Sequence, residues 1–518
     1  MSDRPNILFI HTDEQRADTL GCYDAPVDTP NIDALAERGT LFEEAHCTHP
    51  LCTPSRASLM TGRYPNVNGV WRNGLELPTD QPLLTEELAD AGYDTWLAGK
   101  GHVAPYHGDP ERHPESVQLG CGWDDEEVWE FWRDFDGGYY GFEEVEMTVA
   151  HENTGAGHYG LWLHENHADK LHLFEQEHAV EDHDETYPVW KSGVPLEIHS
   201  SNWVADRTVE FIDDHADDED PWFGWVGLPD PHFPFDAPAE YAEKYDPEDV
   251  ELPVDPHGEV WEDPEPPRFV QLYFERMEWM DYEDGEVTNE MPEEKMREWV
   301  ANYYAMCDLV DDAVGRILDE LEAQGLREDT VVVFTSDHGD WLGDHGLWNK
   351  GGVDTRGVTR VPWIIDWPGV SEPGRRVEAP ASLVDMMPTF LDAAGVEIPY
   401  GVQGESLRPV LNGETDRLRP WAYVQHRHEP QPEDSPLRKI NPYDEDVHIK
   451  TIVTDSHRLT HVTGVEKEYG ELFDLEADVE ETNNLYFEEP ELRHELEGEL
   501  IEALVHSEDP LPERQWGV

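Results

Sequence analysis

Basic residues are scarce in this chain. Its 518 residues include 35 Lys and Arg against 116 Asp and Glu, a net charge of -81, and only nine residues are lysine. That balance excludes nucleic acid and anionic membrane surfaces as partners, because both would repel it. Long apolar runs are missing too. Nothing approaches the roughly 20 residues of a membrane span. The run from Asn6 to Ile10 is too short for a signal peptide, and no paired-arginine export signal is present. The expectation is a cytoplasmic protein with no membrane partner. Cysteines number five, odd and scattered, so no disulfide framework is expected.

What is present argues for a folded protein. Low-complexity disorder would account for the charge but not for 19 Trp, 19 Tyr and 16 Phe. Dispersed acid with little lysine fits a very salty interior, where at molar salt a Debye length of about 3 Å screens self-repulsion. The length allows a large core and more than one domain.

Strand and helix signals alternate. Apolar strands are predicted at Pro5 to Ile10, Tyr93 to Ala98, Pro221 to Leu228, Thr330 to Thr335 and Val361 to Asp366. Helices are predicted at Thr29 to Gly39 (capped by Thr29), Leu83 to Ala91, Trp203 to Asp213, Glu293 to Gln324 and Ser382 to Ala394. This alternation implies an α/β protein with a mostly parallel sheet covered on both faces. The pattern is lost near 105–199 and 236–292, two acidic stretches read as insertions in a catalytic domain of residues 1–415. Long unpatterned stretches often cover functional sites. Short strands and a closing helix then suggest a small antiparallel α+β subdomain over 416–518. Trp123, Trp129, Trp132 and Trp162 in the first insertion could stack on sugar rings or serve as core.

The chemistry is placed at His46 to Arg63. Thr53 can cap a helix, Pro54 fits its first position and Gly62 can end it. Cys52 then sits at the helix mouth, where N–H groups and the dipole favour an anion, with Arg56 one turn on. Two alternatives stand beside this: an ordinary buried Cys52, or a soft-metal clip of His46, Cys47, His49 and Cys52, which lacks a second Cys/His pair at a usual spacing. Cys52-x-Pro54-x-Arg56 followed by Ala-Ser-Leu-Met-Thr-Gly-Arg, unbroken over twelve residues to Arg63, resembles the signature of the sulfatase family. The resemblance implies the alkaline-phosphatase-like fold and conversion of Cys52 to formylglycine, an aldehyde, by a formylglycine-generating enzyme.

Asp13-Glu14 and Asp337-His338 each follow an apolar strand, where sites form in open α/β sheets. Carboxylates gathered there repel unless a cation joins them. In sulfatases the matching positions hold a divalent metal, usually calcium. The resemblance thus implies a metal site of Asp13, Glu14, Asp337, His338 and the residue-52 side chain. Glu14 is longer than the usual Asp, and His338 offers nitrogen, which leaves manganese or zinc open. Relatives carrying Asp-His-Gly here include phosphonate monoester hydrolases. The same resemblance assigns Lys100 and His102 of Gly-Lys-Gly-His to the sulfate and formylglycine. It assigns His232 of Pro-Asp-Pro-His-Phe-Pro to the leaving-group oxygen, and Lys350 to a second sulfate contact. The expected substrate is a small-molecule or carbohydrate sulfate ester. A phosphonate monoester or phosphodiester is the alternative. A non-catalytic sulfated-glycan-binding protein is disfavoured by the charge.

Overall fold

The computed structural model describes residues 4–149, 156–181, 187–262, 264–277, 280–283, 286–429 and 446–508. Eight strands form the main sheet: β1 (Asn6–Thr12), β2 (Thr40–Phe42), β3 (Asp94–Lys100), β4 (Glu144–Thr148), β5 (Trp222–Gly227), β6 (Thr330–Ser336), β7 (Trp363–Asp366) and β8 (Arg375–Val377). Their order is β8-β2-β7-β6-β1-β5-β3-β4. The block β6-β1-β5-β3-β4 is parallel throughout, and β7 runs against both β6 and β2. Central strands buried on both faces need apolar residues at every position, and Ile7 to Ile10 supply them. Ile7 and Phe9 pack with Leu59, Leu88 and Phe390 on one face. Leu8 and Ile10 pack with Ile32, Val204 and Ile317 on the other. Helices α1 (Pro30–Arg38), α2 (Cys52–Thr61), α3 (Ser200–Asp214), α4 (Glu293–Ala323) and α5 (Met386–Ala394) cover the two faces.

Two local details differ from the sequence reading. The Thr29 hydroxyl does not cap α1; it accepts from Gly21 N–H at 2.8 Å and lies 3.1 Å from Asp33 Oδ1. Helix α2 begins at Cys52, with Leu51 at the cap position. The amide of Thr53 is taken by Asn73 Oδ1 at 3.0 Å, a partner too distant in sequence to be read as a cap. Gly62 ends α2 in the left-handed conformation at φ 60, as a C-terminal glycine should.

The stretch 105–199 contributes to the sheet and its covering. It holds edge strand β4 and helices at Asp125–Asp134 and Gly157–Asn166. Its elements are short, and an edge strand of five residues leaves little periodicity to read. Trp129 and Trp132 are core, Trp132 donating from Nε1 to Val117 O at 2.9 Å. Trp123 and Trp162 are half-buried. Residues 236–292 include a helix at Arg268–Arg276 and a two-stranded hairpin, Met280–Glu283 with Glu286–Asn289.

Four antiparallel strands follow: β9 (Trp421–His428), β10 (Val447–Thr454), β11 (His457–Thr463) and β12 (Tyr469–Asp474). A helix, α6 (Pro490–His506), closes them. Tyr423, Ile452, Leu459, Leu472 and Leu500 share a core with Tyr64 and Val384 of the main body. Among the described residues, no helix is long and apolar enough to cross a membrane.

Candidate active site

Strands β1, β3, β5 and β6 deliver their carboxyl ends to one place. Gly99 and Gly227 let β3 and β5 close up there. A Cβ on Gly99 would lie 2.0 Å from Gly227 O, and one on Gly227 would lie 2.4 Å from Lys100 O. Asp13 follows β1 directly. Glu14 then turns back in the left-handed region at φ 66. Tyr303 of α4 bridges that bend, its hydroxyl donating to Glu14 O at 2.6 Å and accepting from Arg16 N–H at 3.1 Å. Asp337 receives the amides of Glu14 and His338 on Oδ1, at 3.1 and 3.0 Å, which ties the β1 and β6 ends together.

Cys52, Asp13, Asp337 and His338 are all buried, with one candidate ligand atom from each lying within 4.8 Å of the others. Cys52 Sγ is 3.2 Å from His338 Nε2 and 3.6 Å from Asp13 Oδ1. The second nitrogen of His338, Nδ1, is 2.8 Å from Gly339 O. A donor N–H there leaves Nε2 with its lone pair toward Cys52, the arrangement second-shell bonds give a metal-binding histidine. Burial pushes His338 down to about 3, so it is neutral. Burial would raise Asp337, but the charges of Arg56, Lys100 and Lys350 together hold it well below the usual carboxylate range. Buried, convergent oxygen and nitrogen donors of this kind fit a divalent cation. The alternative of a soft-metal clip, His46, Cys47, His49 and Cys52, is not among the metal-type clusters of the described residues. His49 instead has Nε2 2.9 Å from Trp71 O, and His46 lies beside Glu44.

Glu14 faces the other side of Asp13. Its Oε2 lies 2.6 Å from Lys350 Nζ and 3.0 Å from His232 Nε2, and it clusters with Asp13 and His232 rather than with Cys52. Burial, with Asp340 nearby, raises Glu14 well above the usual carboxylate range, against the pull of Lys350. His232 sits between Pro231 and Pro234, its ring stacked on Phe233 at 4.5 Å and Nδ1 2.6 Å from Phe233 O. Burial, then Lys350 and Lys100, push His232 well below the usual imidazole range.

Lys100 Nζ presses on Asp13 Oδ2. Arg56 donates from Nε to Asp337 Oδ2 at 2.7 Å and from Nη1 to Lys100 O at 2.8 Å, and Nη2 is 3.4 Å from Asp13 Oδ2. Arg56 therefore holds the two carboxylates and the end of β3 in place. His102 follows at φ 52 with its ring flat on Tyr106, centroids 3.9 Å apart. Burial, then Lys100 and Arg56, keep it well below the usual range and hence neutral.

Buried groups outside the sequence-based set complete the picture. Asp340 accepts Leu342 N–H at 2.5 Å on Oδ1, and burial raises it to about 6. Its place three residues after Asp337 was the available signal. Glu115 had none, being one acid among 116 in an unpatterned stretch.

The fold and this strand-end constellation define a hydrolase of the alkaline-phosphatase superfamily. The chain belongs to the sulfatase family, the sulfuric ester hydrolases: the family model described as Sulfatase matches residues 5–396. That for the N-sulphoglucosamine sulphohydrolase C-terminal region matches residues 343–508. The chain is 32% identical over 410 residues to the uncharacterized sulfatase YidJ of Escherichia coli K12, covering 79% of this chain and 71% of that protein. It is 28% identical over 497 residues to PehA of Trinickia caryophylli, a multifunctional alkaline phosphatase superfamily protein, covering 93% and 91%. Its structure resembles the phosphonate monoester hydrolase of Agrobacterium radiobacter with a TM-score of 0.78 at 25% identity, covering 98% and 96%.

Proposed function

We propose that this chain hydrolyses a sulfate ester of an alcohol or sugar to inorganic sulfate, through a formylglycine derived from Cys52. The observation that carries this reading is Cys52 at the first position of α2, converging with Asp13, Asp337 and His338. Asp13, Asp337, His338 and the residue-52 side chain would hold a divalent ion, with calcium, manganese and zinc as the candidates; Glu14, expected among the ligands, is turned toward Lys350 and His232 instead. The aldehyde hydrate would supply a nucleophilic hydroxyl, and the ion would lower its pKa and add positive charge at the sulfuryl oxygens. Lys100 and Lys350 bind and neutralise the sulfuryl oxygens, with Arg56 adding charge from behind the carboxylates it orients. His232 gives a proton from Nε2 to the departing alcohol. His102, neutral, takes the proton whose loss from the second hydroxyl expels sulfate.

The phosphonate monoester or phosphodiester reading keeps the same nucleophile, and one observation favours it: the likeness to a phosphonate monoester hydrolase over 98% of this chain. Comparing kcat/KM for an aryl sulfate and an aryl phosphonate tests the choice. Preference for the phosphonate would overturn the sulfatase reading.

Exhaustive chelation is expected to abolish turnover, and one of the three candidate ions to restore it. Ion at about 100 times its Kd should also add about 2.7 kcal/mol to stability. Full turnover after chelation would count against the metal. We further propose a cytoplasm of high salt as the setting, supported by the net charge of -81. Lowering salt from about 1 M to 0.1 M lengthens the Debye length from about 3 to 10 Å. Unfolding is expected across that range, measured by circular dichroism. A stable fold in dilute buffer would sink this reading.

A further inference from the structure

We propose that Glu115 is the positioning residue for His102, acting through the backbone it holds rather than by touching substrate. The inference rests on the role of His102 given above. Arg56 fixes the near side of the turn after β3, through the carbonyls of Lys100 at 2.8 Å and Gly101 at 3.4 Å. On the far side Val103 O accepts Leu77 N–H at 3.0 Å, and the amides of Val103 and Ala104 share one carboxylate oxygen. Glu115 Oε1 accepts Val103 N–H and Ala104 N–H, each at 3.1 Å, and the Tyr139 hydroxyl as well. Tyr139 also backs the turn directly: a Cβ on Gly101 would lie 3.0 Å from its hydroxyl oxygen and 3.3 Å from Met147 Cε.

His102 lies between these two anchors in the left-handed conformation, which a residue with a side chain keeps only when its surroundings impose it. Glu115 is 1% exposed, so water cannot take over the two amides if the carboxyl is removed. Tyr106, Glu115 and Tyr139 all come from the 105–199 stretch. Part of that stretch therefore serves as the clamp that aims the base of the second step.

The test compares Glu115→Ala, which deletes the acceptor, with Glu115→Gln, which keeps an oxygen at the same place. Amide hydrogen exchange over 101–104, measured on protein with Cys52 unconverted, reads the clamp without turnover. Exchange at Val103 and Ala104 is expected to rise at least about tenfold in Glu115→Ala, as local opening becomes easier. Exchange in Glu115→Gln should stay near wild type. In matured enzyme, Glu115→Ala should lower kcat by about 10- to 100-fold, the scale of an ångström-level misplacement, with KM falling alongside and kcat/KM nearly unchanged, because the first step is untouched. A burst of phenol from an aryl sulfate should precede the slow phase, as for His102→Ala. The double variant should be no slower than His102→Ala alone.

Additive losses in the double variant, or exchange unchanged in Glu115→Ala, would overturn the proposal. If His102→Ala itself shows no burst, the second-step role of His102 fails, while exchange still judges the clamp. Should Glu115→Ala not fold, Glu115→Asp draws the oxygen back from both amides by one methylene and carries the same comparison: faster exchange at Val103 and Ala104 supports the clamp, and unchanged exchange refutes it.

Discussion

Protein made without conversion of Cys52 is expected to lose about 10⁴-fold or more in kcat, the scale on which removing a nucleophile acts. The thiol cannot stand in for the aldehyde. Burial pushes Cys52 up to about 11, although Lys350 and Arg56 pull the other way. At pH 7 the thiolate, the reactive form, is then about one molecule in 10⁴. The thiol also lacks the second hydroxyl whose deprotonation expels sulfate. A Cys52→Ser variant would form an ester that waits for water to attack sulfur. Activity should therefore rise in proportion to the converted fraction, counted by peptide mass spectrometry across preparations. Full kcat in a preparation with an intact thiol would refute the formylglycine reading.

The residues of this site differ in how visible they are along the chain. Cys52 to Thr61 is one helix, so the nucleophile, its arginine and the Gly62 that ends it fall within a single run of sequence. Asp13 and Asp337 are visible because buried parallel strands are apolar at every position and then stop. The orientation of side chains is another matter. Nothing in Asp13-Glu14-Gln15 announces that Glu14 turns back in the left-handed region toward Lys350 and His232. That bend is imposed by Tyr303, 289 residues away. Arg56 reads as a ligand for whatever Cys52 carries, yet its Nε and Nη1 go to Asp337 and Lys100 O. The amide of Thr53 goes to Asn73, across a loop. Glu115 is the extreme case: its partners are two backbone amides and a phenol, none of which leaves a mark in a chain so rich in acid. Local signals report the strand ends, and tertiary contacts decide where each functional group points.

His232→Ala should discriminate between leaving groups. A general acid matters in proportion to how poorly the leaving group departs without a proton. A nitrophenolate leaves readily; a sugar alkoxide, with a far higher conjugate-acid pKa, does not. We expect His232→Ala to slow an alkyl or sugar sulfate by about 10²–10⁴-fold and an activated aryl sulfate much less. Lys100→Ala removes charge from the sulfuryl group that both substrates share, so both should slow together. The setting of His232 adds a pH signature. Burial and the two lysines hold it well below the usual imidazole range in the free protein. A sulfate ester is an anion, and once bound between Lys100 and Lys350 it offsets the charge that disfavours the imidazolium. The alkaline limb of kcat on the poor substrate, where His232 loses its proton, should lie at higher pH than that of kcat/KM. Both limbs should vanish in His232→Ala. The measurement is kcat and kcat/KM against pH for both substrates in both variants. Equal losses on the two substrates for His232→Ala would remove it from the acid role and leave it as a group that binds Glu14 across 3.0 Å.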